Sequence, residues 1–161
     1  MKHDKQKYIR LFTSLAMCFS AGIIGSFFTV ASINDWYQYL AKPSFSPPNW
    51  VFGPVWTILY FLMGISLFLI WEKGLKNKIV KNVFVLFIVH IVLNGLWSIL
   101  FFGLKSPLLA FVDIILMWVT LAPVIFFSFK LNKYSSLLLI PYLFWISFAL
   151  LLNFSIWKLN A

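Results

Sequence analysis

Charge is what this sequence has least of. Only 11% of its 161 residues are charged, where a soluble domain of this length carries roughly a quarter. Most of the surface must therefore meet something other than water. Acids are scarcest, with four Asp and Glu against thirteen Lys and Arg. No acid/base pair, metal cluster or nucleotide loop appears, which excludes ordinary hydrolytic, metal-dependent or phosphoryl-transfer chemistry. Cysteine is reduced to Cys18, so there is no intramolecular disulfide, no CxxC pair for zinc and no CxxCH for haem attachment. Within its apolar run Cys18 reads as a small membrane-buried residue. The net charge of +9 comes without a basic-aromatic RNA motif or a basic recognition helix. Its bases sit between apolar runs, which suits anionic lipid headgroups and not a nucleic-acid groove. No internal repeat is evident. The N-terminal "MKHDKQKYIR" opens like a signal peptide, but no small-x-small cleavage site closes the run from Leu11 to Ile33, so a retained first helix is expected.

What the chain has instead is apolar length: 62% of residues are hydrophobic and 20% aromatic. A spanning helix needs about 20 mostly apolar residues, and the sequence offers five such runs, at about 9–33, 51–71, 82–103, 107–129 and 136–157. The fold class expected is an all-α integral membrane bundle forming one domain over 1–161. "KSP" between the third and fourth runs is short enough to force an antiparallel hairpin, with Pro107 starting the fourth helix where a missing N–H costs little. Ten bases (Lys2, Lys5, Lys7, Arg10, Lys73, Lys76, Lys78, Lys81, Lys130, Lys133) fall on one side, and three (Lys42, Lys105, Lys158) on the other. The positive-inside rule then puts the N-terminus in the cytoplasm and the C-terminus outside a bacterial plasma membrane.

Polar and aromatic residues inside the spans mark where function can reside. Asp113, in "LAFVDIILMW", is costly at bilayer depth and is expected to face the bundle. It serves there either as an interhelical hydrogen-bonding group or in a ligand or proton role. Asn94 and Trp97 share a helix face with His90 and Phe101. Asn94 reads as interhelical glue or as a polar anchor in a pocket. His90, with no partner at ligand spacing, reads as hydrogen-bonded sooner than as a haem ligand. Pro141, Trp145, Ala149 and Asn153 step by four in the last span, and Trp56, Tyr60 and Gly64 do so in the second. Each stripe reads as core packing or as pocket wall. Trp36, Trp71 and Trp157 lie at span ends, where an interfacial belt is expected. In "KPSFSPPNWVFGPVWTILYFLMG", Pro43, Pro47 and Pro48 restrict a loop that can act as a lid. Trp50 is expected as an interfacial anchor, Pro54 as a first-turn proline, and Trp56 and Tyr60 as wall.

The stretches "WYQYLAKPSFSPPNWVFGPVWTILYFLMG", "LNGLWSILFFG", "LAFVDIILMW" and "LIPYLFWISFALLLNFSIWKLN" closely resemble the translocator protein family, also called tryptophan-rich sensory protein or peripheral-type benzodiazepine receptor. The likeness runs from about Gly22 to Asn160. The resemblance implies a five-helix bundle, commonly a homodimer, that binds tetrapyrroles such as protoporphyrin IX and haem as ligands, with no cofactor required. It also implies binding of sterols and of isoquinoline carboxamide and benzodiazepine compounds. Carried over by motif, the ligand-binding residues would be Tyr37 and Pro47 in the loop, and Phe52, Trp56 and Tyr60 in the second helix. Asn94 and Trp97 would follow in the third, Ile114 beside the structural Asp113 in the fourth, and Trp145 and Ala149 in the fifth. Light-driven porphyrin degradation, which the resemblance ascribes to some bacterial members, would place Trp56 and Trp145 beside the macrocycle as catalytic indoles. Two departures stand out. Phe154 replaces the tyrosine of the mammalian sterol motif between Leu152 and Lys158, so cholesterol is not an expected native ligand. The third helix lacks a small-xxx-small run before Asn94, leaving Ala21/Gly25 and Gly22/Ser26 as alternative close-packing sites for a dimer.

Three functions follow as expectations. The first is a membrane receptor or sensor that binds flat apolar tetrapyrroles and drug-like molecules in porphyrin handling or stress signalling. The second is a light- and oxygen-dependent porphyrin oxidase. The third is a transporter of porphyrins or lipids, for which no inverted repeat or broken-helix pair speaks.

Overall fold

The structure, a computed structural model, describes residues 2–161. Five helices carry it: α1 (Lys2–Ile33), α2 (Asn49–Trp71), α3 (Lys78–Ser98), α4 (Pro107–Leu131) and α5 (Lys133–Leu159). A 3₁₀ turn at Tyr37–Tyr39 interrupts the α1–α2 loop, and a wide π turn at Ile99–Gly103 extends α3. No strand occurs among the described residues. All five helices are long and apolar enough to cross a membrane. Even the 21 residues of α3 reach about 31 Å at the α-helical rise, enough for the hydrocarbon thickness. The all-α membrane bundle expected from the sequence is what the chain forms.

Polar side chains at the joints set the helix starts. Asn77 accepts from the Ile79 and Val80 amides at the head of α3, Ser106 from Leu109 at α4, and Asn132 from Tyr134 at α5. Each satisfies donors that have no partner within the helix. Pro107 does occupy the first turn of α4. Pro54 does not begin α2: the helix starts earlier, at Asn49, so Pro54 lies inside it. Its missing N–H leaves the Trp50 carbonyl one turn upstream without its helical donor.

Helix contacts close into a ring: α1 packs on α2, α2 on α5, α5 on α4, α4 on α3, and α3 on α1. Lipid tails are as apolar as leucine, so close packing and hydrogen bonds hold such a ring more than the hydrophobic effect does. Small residues make the closest approaches. Gly64 of α2 sits against the Leu15 backbone of α1, and Gly95 of α3 against that of Ala21. The Gly22 Cα faces the Tyr60 ring, and Gly25 faces Ser98. Ala21, Gly22 and Gly25 are therefore used within the protomer, against the expectation that they are spare sites for a dimer. Ser66 and Ser135 clamp α2 to α5: each hydroxyl approaches the other residue's carbonyl, at 2.9 and 3.0 Å.

The two halves of the ring differ. Where α2 ends and α3 and α5 begin, Met63, Leu67, Ile70, Phe87, Leu121 and Leu139 fill the interior with no exposed surface. Arg10 pairs with Glu72 at 2.9 Å across that end. The opposite half, under the α1–α2 loop, is hollow.

Candidate ligand-binding site

The hollow is a cavity of about 510 Å³, within the ordinary range for small-molecule pockets. All five helices contribute to its wall, and among the described residues no charged side chain lines it. The wall is mainly aromatic and aliphatic, with the amides of Asn49, Asn94 and Asn153 and a few hydroxyls among its polar groups.

Nine of the ten residues assigned from motifs line this one cavity: Tyr37, Phe52, Trp56, Tyr60, Asn94, Trp97, Ile114, Trp145 and Ala149. Pro47 does not; it is half-buried in the loop. Helical spacing explains the α2 set, since Phe52, Trp56 and Tyr60 recur every four residues and share one face. Trp56 stacks on Tyr60, with ring centroids 5.3 Å apart and planes 25° from parallel. The Trp145 ring stands edge-on to Trp56 at 6.4 Å and 88°, and Phe52 is 5.8 Å from it. The two indoles thus meet at a corner with flat faces turned different ways. The last-span stripe divides: Trp145, Ala149 and Asn153 line the cavity, while Pro141 is exposed.

Above this corner the π turn buries two neighbouring rings, Phe101 and Phe102, and both line the cavity. Trp97 stacks on Phe101 at 5.1 Å, and its Nε1–H donates to Asn153 Oδ1 at 3.0 Å. Tyr37 comes down from the loop onto this cluster, 6.1 Å from Phe101 and 5.5 Å from Phe102, with the Lys42 amine 4.2 Å above its ring. Burial pushes the Tyr37 phenol above its ordinary pKa, and a hydrogen bond with Ser46 partly offsets that. Asn160 straps the loop down from the end of α5. Its Oδ1 accepts from the Ala41 amide at 3.0 Å, and its Nδ2 donates to the Ala41 carbonyl at 2.9 Å. The loop is therefore a fixed roof. On the side between α1 and α2 the wall is exposed, at Ile23, Ser26, Val30, Gly53 and Thr57, and there the cavity opens toward the space a bilayer would fill.

Below the corner runs a buried polar chain. Tyr60 Oη donates to Asn94 Oδ1 at 2.8 Å, and Asn94 Nδ2 donates to Tyr142 Oη at 2.9 Å. Tyr142 Oη lies 2.8 Å from His90 Nε2, and His90 Nδ1 lies 2.9 Å from Thr120 Oγ1. Both imidazole nitrogens are engaged, so neither is free for iron, and the hydrogen-bonded reading of His90 stands. Asp113 faces inward, as expected, at 3% exposure. It does not make the interhelical hydrogen bond that would fix the fold: among the described residues neither carboxylate oxygen has a partner. Nor does it line the cavity, and Ile114 beside it does.

Motifs overlooked the α1 wall (Phe19, Gly22, Ile23, Gly25) together with Phe101, Phe102 and Met117. Asn153, outside the motif set, is a wall residue that the step-by-four stripe from Trp145 already offered. The α1 residues carry no such signal, because Gly22 and Gly25 read as close-packing sites for a dimer and nothing in Phe19 or Ile23 sets them apart from lipid-facing chain. With an uncharged wall, the cavity can stack and enclose a flat apolar molecule and offer it amide and hydroxyl groups.

A family model described as TspO/MBR family matches residues 14–158. The chain is 48% identical over 153 residues to a protein named Tryptophan-rich protein TspO from Archaeoglobus fulgidus, covering 95% of this chain and 98% of that one. It is 41% identical over 155 residues to a protein of the same name from Chlorobaculum tepidum, covering 96% and 98%. It is 35% identical over 139 residues to the human Translocator protein, covering 85% and 82%.

Proposed function

Because the chain belongs to the TspO/MBR family, we propose that it is a membrane receptor or sensor whose helix bundle binds tetrapyrroles such as protoporphyrin IX or haem. Drug-like molecules of similar flatness would share the site. The observation that carries this reading is the uncharged aromatic cavity with Trp56 and Trp145 at its corner. Two rings at right angles hold a flat ligand by face and by edge, and Asn94 and Tyr60 supply polar orientation. Ligand arrives from the bilayer through the α1–α2 opening, since the roof is tied down. Titration of detergent-solubilised protein with protoporphyrin IX should quench tryptophan fluorescence saturably. Stacking on one aromatic ring is worth ~0.5–1.5 kcal/mol beyond area, and the contact area of two indoles is lost as well, so Trp56→Ala with Trp145→Ala should weaken binding at least tenfold. Unchanged affinity in that double variant would remove this site assignment.

The edge-to-face indole pair also supports a second reading, light- and oxygen-dependent oxidation of the bound porphyrin beside Trp56 and Trp145. Illuminated complex should then give a defined bilin-like product; bleaching at the rate of free porphyrin would sink it. The ten-to-three distribution of bases supports a cytoplasmic N-terminus in a bacterial plasma membrane, which cysteine labelling from either side tests. A homodimer is proposed with it. Its interface uses faces other than the α1 glycines.

A further inference from the structure

The polar chain below the cavity can run in two directions, and the empty cavity favours one. Thr120 Oγ1 lies 2.9 and 3.0 Å from the Leu116 and Met117 carbonyls of its own helix. If its one hydrogen goes there, it accepts from His90 Nδ1–H. His90 Nε2 then accepts from Tyr142 O–H, Tyr142 accepts from Asn94 Nδ2, and Asn94 Oδ1 accepts from Tyr60 O–H. Every hydroxyl hydrogen in the chain finds an acceptor, and Tyr60 turns a lone pair toward the cavity. The reverse also closes. Thr120 O–H donates to Nδ1, Nε2–H donates to Tyr142, Tyr142 donates to an Asn94 amide turned by 180°, and Asn94 Nδ2 donates to Tyr60. The Leu116 carbonyl keeps its ordinary helix donor. One hydrogen is then left over, on Tyr60, and it needs an acceptor in the cavity. The number of protons is the same in both arrangements; only the nitrogen of His90 that carries its hydrogen differs.

We propose that His90 and Tyr142 are positioning residues that let the ligand site reverse its polarity. Through Asn94 they let Tyr60 present either an acceptor or a donor to a flat ligand, so that the cavity takes both ligand polarities and His90 changes tautomer with the ligand. Neither residue lines the cavity; both act through Asn94. This rests on the reading of the cavity as a binding site for flat aromatic molecules. A site of fixed polarity leaves a mismatched group unpaired inside a dry pocket, which costs affinity. A reversible chain avoids that mismatch.

Three tricyclic probes of nearly one shape test it: fluorene with no polar group, 9-fluorenone with an acceptor, and carbazole with an N–H donor. The sequence has two histidines, so full-length protein carrying His3→Gln and labelled with ¹⁵N-histidine reports His90 alone by NMR in micelles. Calorimetry follows binding in the same samples. Expected is Nδ1–H in the empty protein and with fluorene or carbazole, and Nε2–H with fluorenone. Fluorenone and carbazole should bind within about fivefold of each other, less than one unmade hydrogen bond would impose. In Tyr60→Phe, which removes the group that meets the ligand, bound fluorenone should leave Nδ1–H in place. Tyr142→Phe should uncouple His90 in the same way while fluorenone still binds. Nε2–H in the empty protein, or bound fluorenone with Nδ1–H unchanged in the otherwise unaltered chain, overturns the inference while leaving the binding site standing. Failure of all three probes to bind overturns the binding reading, and the inference with it.

Discussion

A methyl group added at Gly22 and one added at Gly53 should change stability in opposite directions. Both positions are helical, so alanine gains roughly 0.8–1 kcal/mol of helix propensity at each. At Gly53 a Cβ meets nothing within 4 Å, and that gain stands alone. At Gly22 a Cβ would lie 2.4 Å from Tyr60 Cε2 and 3.2 Å from its Cζ. Reaching ordinary contact needs a displacement of roughly 1 Å. The ring is held on one face by Trp56 and at its hydroxyl by Asn94, at 2.8 Å. Overpacking of this kind costs roughly 1–3 kcal/mol, and loss of the Tyr60–Asn94 bond adds about 1 kcal/mol. Propensity cancels between the two variants, so Gly22→Ala should be less stable than Gly53→Ala by roughly 2–4 kcal/mol. Reversible unfolding in mixed micelles, followed by tryptophan fluorescence, measures the difference. Tyr60→Ala in the Gly22→Ala background should abolish the penalty, because the ring that is struck has gone. Equal stabilities for the two alanine variants would refute the account of α1–α2 packing.

Asn160→Ala should release the roof: amide exchange at Ala41 should rise and porphyrin should dissociate several-fold faster, as expected for two hydrogen bonds worth roughly 0.5–1.5 kcal/mol each. Asp113→Asn should leave stability unchanged or raise it by about 1 kcal/mol, because the carboxylate has no partner to lose and a neutral amide is cheaper at bilayer depth. Measured destabilisation beyond ~1 kcal/mol would mean that the carboxylate has a partner. Tyr37 keeps its proton longer folded than unfolded, because burial raises its pKa. Stability should therefore be flat below the ordinary tyrosine range and fall as pH rises through it; Tyr37→Phe should flatten that alkaline slope.

Run length made the five spans legible, because the 20-residue requirement is a property of the bilayer and needs no tertiary knowledge. Cavity residues on α2, α3 and α5 were legible wherever an aromatic or amide recurred at helical spacing. The start of α2 was misplaced because the loop prolines drew the boundary past Asn49, which turned an internal Pro54 into a first-turn one. Gly22 and Gly25 were open to misreading as dimer contacts, since a glycine shows its purpose only beside what it makes room for. Tyr60 and Ser98 lie dozens of residues further along the chain. Asp113 shows the same limit. Its inward direction follows from its cost in lipid, but whether it finds a partner depends on neighbours that no local pattern specifies. The π turn was invisible, because "SILFFG" reads as one more apolar turn whichever ring its hydrogen bonds close.

That turn has a consequence for how the chain tolerates changes in length. Residues 99–103 hold one more residue than an α-helix needs for the same advance, bonded from the Leu104 amide to the Ile99 carbonyl. Deleting one residue there would let the segment close as ordinary α-helix. The residues on either side would keep their facing, because the wide turn already holds the surplus residue outside the helical register. What would be lost is one of the two neighbouring rings, Phe101 or Phe102, and with it part of the surface that Tyr37 rests on. In this protein a single codon could be lost from one hydrophobic run at the cost of one ring in the roof, with the other walls of the cavity untouched.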